Sequence, residues 1–184
     1  MNKMIYRGLV GLLTCASIFS TSVSADSLTL SVGRGMSDTL IQSGSIASTE
    51  TEGLFYTYDF ESTSEFFDTE YQWLMEFGWY YLEGEHLGNS DAMDIVYAKP
   101  KLRFNGDGWH YDVGLGAAVF TQEHWEEISF SGDTMFALSF GIGTTFGEDD
   151  AWAVDLVYNH FSNGYTRSPN PGLDLMTVNV SYNF

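Results

Sequence analysis

The sequence predicts an all-β fold, an eight-stranded antiparallel transmembrane β-barrel of the outer-membrane type. Three observations point there. Large apolar residues recur at every second position over long stretches. Aromatic residues make up 16% of the chain. No segment beyond the N-terminal region approaches the roughly 18 unbroken apolar residues that a membrane helix needs. Apolar surface gathered on single strand faces, with few helices to cover it, suits a closed barrel whose outside meets hydrocarbon.

Met1–Ala25 reads as a signal peptide. Lys3 and Arg7 give a positive start, Gly8–Phe19 is mainly apolar, and Val23-Ser24-Ala25 is a small-residue cleavage site. The barrel then occupies residues 26–184. Leu12-Leu13-Thr14 before Cys15 offers a rival lipoprotein reading, which Thr14 disfavours. Cys15 is the only cysteine and leaves with the leader, so no disulfide is expected. The net charge of −18 excludes a nucleic-acid partner, because phosphates require a basic surface.

The strands follow in order. The first, near Ser27–Gly33, points Leu28, Leu30 and Val32 outward, and a polar loop, Arg34–Thr51, follows. The second, near Glu52–Glu61, points Leu54, Tyr56, Tyr58 and Phe60 outward, with Thr57 and Asp59 opposite. Ser62–Thr69 leads to the third. There Tyr71, Trp73, Met75, Phe77, Trp79 and Tyr81 alternate with Gln72, Leu74, Glu76, Gly78 and Tyr80. Six large apolar residues at period two cannot come from an amphipathic helix.

The acidic stretch Glu83–Asp91 reads as a loop before the fourth strand, near Met93–Phe104. Lys99, Lys101 and Arg103 face inward there, and Pro100 predicts a local bulge because it lacks a ladder N–H. Asn105-Gly106-Asp107-Gly108 is a tight turn. The fifth strand places Trp109, Tyr111, Val113 and Leu115 outward, with His110 and Asp112 inward. After Thr121–Gly132, the sixth places Phe136, Leu138, Phe140, Ile142 and Phe146 outward. The seventh and eighth run from Trp152 to Ser162 and from Asp174 to Phe184 around the loop Asn163–Leu173.

Long and short connections alternate, as in outer-membrane barrels. A periplasmic N-terminus puts the long ones outside. Eight strands enclose an interior that side chains fill. Asp59, Glu76, Asp112 and Asp155 then face Lys99, Lys101 and Arg103, which predicts a paired plug rather than a transport path.

Parity places His160, Ser162 and Asp174 on the apolar faces, at adjoining ends of the last two strands and at the outer rim. A serine hydroxyl becomes a good nucleophile when a base takes its proton. Histidine suits that task near neutrality, and a carboxylate on its far nitrogen would fix the tautomer. Asn163 follows with an amide that could stabilise an oxyanion. The plain alternative is that these are polar rim residues meeting water, with Asp174 capping the loop. His86 and His124 fall in predicted loops and His110 points inward. None shows metal-ligand spacing, so neither a metal nor a cofactor is expected.

Asn159-His160-Phe161-Ser162-Asn163-Gly164, followed by Asn170-Pro171-Gly172-Leu173-Asp174, resembles the carboxy-terminal signature of the lipid A 3-O-deacylases, the PagL family. The resemblance implies an outer-membrane barrel that hydrolyses the ester-linked acyl chain at the 3-position of lipid A in lipopolysaccharide. It implies Ser162 as nucleophile, His160 as base and Asn163 as a candidate oxyanion donor. The family acid is typically glutamate, whereas this chain has Asp174. Aspartate is one methylene shorter, so it is expected to approach His160 through a backbone shift or a water. The glycine after the Ser-Asn pair falls one residue early, at Gly164.

Acyl chains are then expected along Trp152, Leu156, Met176 and Val178, with outer-membrane lipid as neighbour and a homodimer as an open assembly. Two other functions stay open: a non-catalytic barrel whose acidic loops bind cations or partners, and an acyltransferase to another lipid.

Overall fold

The computed structural model describes residues 27–36, 49–66, 69–86, 89–125 and 128–184. The signal-peptide reading of Met1–Ala25 lies outside these, as does most of the polar loop expected at residues 34–51. Ten strands form: β1 (Ser27–Gly35), β2 (Thr49–Phe66), β3 (Thr69–His86), β4 (Asn89–Asn105), β5 (His110–Phe120), β6 (His124–Trp125), β7 (Ile128–Ser129), β8 (Thr134–Phe146), β9 (Trp152–Ser162) and β10 (Leu173–Asn183). Eight of them close an antiparallel barrel in the order β1-β10-β9-β8-β5-β4-β3-β2. The seam is the β1–β10 pair, in register from Ser27↔Asn183 to Gly35↔Leu175.

The outside is apolar, as period two requires. Val32 is 60% exposed, Leu115 59% and Ile142 57%. A soluble protein rarely leaves such a belt open to water, and hydrocarbon is the solvent that makes it stable. Aromatic rings gather at the turn end of the barrel. Phe104 stacks on Tyr111 at 4.7 Å, Trp152 meets Tyr182 at 5.0 Å, and Tyr182 meets Phe184 at 5.7 Å. Such girdles sit at membrane–water boundaries.

Two expected connections are strand instead. The described parts of that acidic stretch, residues 83–86 and 89–91, are the paired end of a long hairpin, with Glu83 opposite Ala92 and Gly84 opposite Asp91. Ser62–Thr69 likewise pairs up to Phe66↔Thr69. Polar composition there reports water, not a loop, because the barrel wall continues past the hydrocarbon. The segment expected as loop at Thr121–Gly132 holds the small β6–β7 hairpin, and His124 lies in it. His86 likewise falls at the end of β3, not in a loop.

The bulge expected at Pro100 is absent. Register against β3 is continuous through Met75↔Pro100, and against β5 it is the same on both sides of the proline. Pro100 interrupts the ladder without adding a residue. The irregularity lies instead in β2, between Asp59 and Thr63, where Glu61 takes φ 51. Asp59 serves that bulge, accepting from the Glu61 N–H at 2.8 Å and Gln72 Nε2 at 3.2 Å.

The interior has two layers. Toward the turn end, Glu76 contacts Lys99 at 3.1 Å and Lys101 at 2.9 Å. Asp112 receives Lys101 at 2.9 Å and both Nε and Nη2 of Arg103 at 2.8 Å. Glu76 and Asp112 thus supply the pairing expected of the plug, whereas Asp155 contacts His110 at 2.6 Å. The other layer was not foreseen. Phe55, Tyr80, Tyr97, Phe120, Phe161 and Leu175 make a buried apolar cluster at the opposite end. Trp125 and Phe130, from the β6–β7 segment, close it from above.

Candidate active site

The site stands on β9 and β10 where they leave the belt. Asp174 and His160 are direct cross-strand partners. Opposed side chains on one face approach within about 5 Å at Cβ, so a short acid suffices. His160 Nδ1 lies 2.6 Å from Asp174 Oδ1. An ionised carboxylate can only accept, so Nδ1 donates this bond, and in the neutral ring Nε2 is then the nitrogen with the lone pair. The expectation of a backbone shift or a bridging water is therefore corrected: aspartate reaches the ring directly.

Ser162 lies two residues past His160 on the same face and pairs with Phe136 of β8. Among the described residues, the carboxylate–imidazole contact is a formed hydrogen bond, whereas the Ser162–His160 relation rests on shared parity and spacing. Catalytic contacts often tighten only around substrate. His160, Ser162 and Asp174 are all buried, although their face is lipid-directed. The intervening residues anchor both strands. Phe161, between His160 and Ser162, and Leu173 and Leu175, flanking Asp174, all insert into the apolar interior cluster. Met36 N–H donates to the Asp174 carbonyl at 2.9 Å, which ties the start of β10 to the end of β1.

Asn163 is built into the loop rather than aimed at the site. Its Nδ2 donates to Pro169 O at 2.9 Å and Phe130 O at 3.4 Å. Its backbone N–H donates to Asn170 Oδ1 at 2.8 Å. Its carbonyl accepts from Thr166 N–H and Oγ1. In this arrangement the donors of the expected oxyanion candidate hold the loop. Gly164 comes next with φ +60, and a Cβ there would meet the Phe136 ring at 2.9 Å. The turn backbone thus packs on Ser162's cross-strand neighbour.

Tyr158 escaped the sequence reading. Its hydroxyl donates to Asp174 Oδ1 at 2.9 Å. Parity alone could have found it, because it shares the outward face with His160, two residues before it.

A groove of about 750 Å³ on the barrel exterior is lined by Val32, Leu156, Met176 and Val178 and by the charged Arg34, Glu50 and Glu52; Met176, two residues from Asp174, is its link to the site. Three of the four residues expected to meet acyl chains are in it. Trp152 is not. It lies eight residues below His160, roughly 26 Å along the strand, in the girdle at the far boundary.

His110, Asp112 and Asp155 are the described group whose ligand atoms come close enough to hold a metal, within 4.8 Å of one another. Both Asp112 oxygens already bind cationic side chains, and His110 Nε2 faces Asp155 at 2.6 Å. The donor set therefore suits an ion-pair network better than a cation.

Fold and site together define an outer-membrane barrel with a histidine–carboxylate pair and a neighbouring serine on its lipid-facing side. The lipid A 3-O-deacylase (PagL) family model matches residues 50–183, and the chain belongs to that family. The lipid A deacylase PagL of Bordetella bronchiseptica is 30% identical over 88 residues, covering 47% of this chain and 48% of that protein. The match thus spans about half the length of that relative. The crystal structure of the outer membrane enzyme PagL superposes with a TM-score of 0.68 at 17% identity, over 86% of this chain and 99% of that one. The Yersinia pestis outer membrane protein Ail gives a TM-score of 0.45 at 14% identity, over 86% and 99%.

Proposed function

We propose that this chain is a serine esterase of the bacterial outer membrane that removes the ester-linked acyl chain at the 3-position of lipid A. The observation that carries this reading is the 2.6 Å contact between His160 and Asp174 on the lipid-facing side, with Ser162 next along the same face. A soluble esterase would keep such groups in a cleft. Here the substrate is itself part of the surrounding solvent.

The chemistry follows from the tautomer. His160 Nε2 takes the proton of Ser162 as Oγ attacks the ester carbonyl. The C–O bond to the sugar breaks, and the departing oxygen takes that proton back from His160. Water then repeats the cycle on the acyl-serine, releasing a 3-hydroxy fatty acid. Asp174 holds the ring and stabilises the imidazolium. With the Asn163 amide committed, the backbone N–H of Gly164 takes the oxyanion role in this reading. The cleaved chain lies in the groove along Leu156, Met176 and Val178.

In the same reading, Met1–Ala25 is removed on export, and N-terminal sequencing should begin at Asp26. A homodimer is tested by cross-linking in membranes, where a band at twice the chain mass supports it. The function is tested by mass spectrometry of lipid A from cells with and without the protein. Loss of one 3-hydroxyacyl group at the 3-position supports it. Unchanged lipid A, with the barrel folded in the membrane, returns the chain to a non-catalytic role.

A further inference from the structure

A carboxylate at a lipid-facing rim is poorly solvated, and each of its oxygens needs a donor. Asp174 Oδ1 has two: His160 Nδ1 at 2.6 Å and the Tyr158 hydroxyl at 2.9 Å. The second contact is diagonal across the β9–β10 ladder. Tyr158 pairs with Met176, not Asp174, and diagonal positions are roughly 7–8 Å apart. A tyrosine spans that distance and a smaller side chain does not. Along the face the order is Tyr158, His160, Ser162, so the phenol lies on the hydrocarbon side of the carboxylate.

We infer that Tyr158 is a positioning residue for the reaction: its hydroxyl fixes the short Asp174 carboxylate against His160, making an aspartate serviceable where a glutamate is usual. The inference rests on the proposed esterase reading for its rate effects, but the geometry it invokes is independent of the substrate. One oxygen serves both donors. A carboxylate one methylene longer carries that oxygen to a different place and would not meet both from the same backbone. Tyrosine and aspartate should therefore be energetically coupled.

The test is a double-mutant cycle on purified, folded barrel. Tyr158→Phe keeps the ring and removes the donor. It should lower kcat on lipid A about tenfold, the scale of one hydrogen bond to a charged group, with KM within about twofold. Fluorophosphonate labelling of Ser162, which needs no lipid A, should slow by the same factor. In the Asp174→Glu background, the cost of Tyr158→Phe should shrink to within about twofold.

Tyr158→Phe at full rate in both assays overturns the inference. So does an equal cost in both backgrounds, which would mean a packing role for the ring. If Asp174→Glu does not fold, the kcat-against-KM split and the labelling rate of Tyr158→Phe alone decide. Wild-type protein that labels at Ser162 but leaves lipid A intact refutes the substrate and not the positioning role. Wild-type protein that does neither refutes both.

Discussion

Asp174 lies directly across the ladder from His160, and on the proposed reading that one register relation sets the chemistry at the residue scale. Nδ1 is held by the acid, so Nε2 is the nitrogen that can deprotonate Ser162. Ser162→Ala should therefore lower fatty-acid release on the order of a thousandfold or more, with barrel folding unchanged, as read by heat-shifted gel mobility. Gly164 carries a second expectation. At φ +60 a side chain costs about 1–2 kcal/mol, and the added methyl would press on the Phe136 ring at 2.9 Å. Gly164→Ala should reduce kcat more than it reduces stability. An unaltered kcat would remove the turn backbone from the mechanism.

At the scale of the element, β9 works on both faces. Its outer side carries His160 and Ser162, and its inner side carries Phe161, which is 1% exposed among Tyr80, Tyr97 and Phe120. Phe161→Ala should destabilise the barrel by about 3–5 kcal/mol, measured by urea unfolding in micelles. It should also lower activity, although the ring lies on the face away from substrate.

The outer face of β9 was legible in the sequence, because period two from Trp152 to Ser162 leaves one parity for the site. The inner anchor was not. Phe161 is a single apolar residue between polar ones, Leu173 and Leu175 flank an acid, and only the pairing of distant strands shows that the three meet. The loop role of Asn163 was hidden for a related reason: Pro169 lies in its own loop, but Phe130 belongs to a distant segment that nothing local announces. The ends of β3 and β4 were misread because acidic composition looks the same in a loop and in a strand that has left the membrane.

For the whole molecule, an apolar outside around an interior that is charged in one layer and apolar in the other departs from the usual arrangement, and the outside follows from the solvent around the barrel. The interior charges persist because they are paired. Removing Asp112 strips Arg103 of its two-point partner and Lys101 of one of two carboxylates. Asp112→Ala should cost about 3–5 kcal/mol in the same unfolding assay while leaving the chemistry at the far rim in place. Loss of activity without loss of stability would instead point to a functional path through the lumen.

The proposed function turns on hydrolysis at Ser162 on the lipid-facing wall. Purified wild-type and Ser162→Ala proteins, each given lipopolysaccharide in detergent, test it by the amount of free 3-hydroxy fatty acid released. Steady release by the wild type and background release by the variant are expected. Equal release by the two would contradict that function.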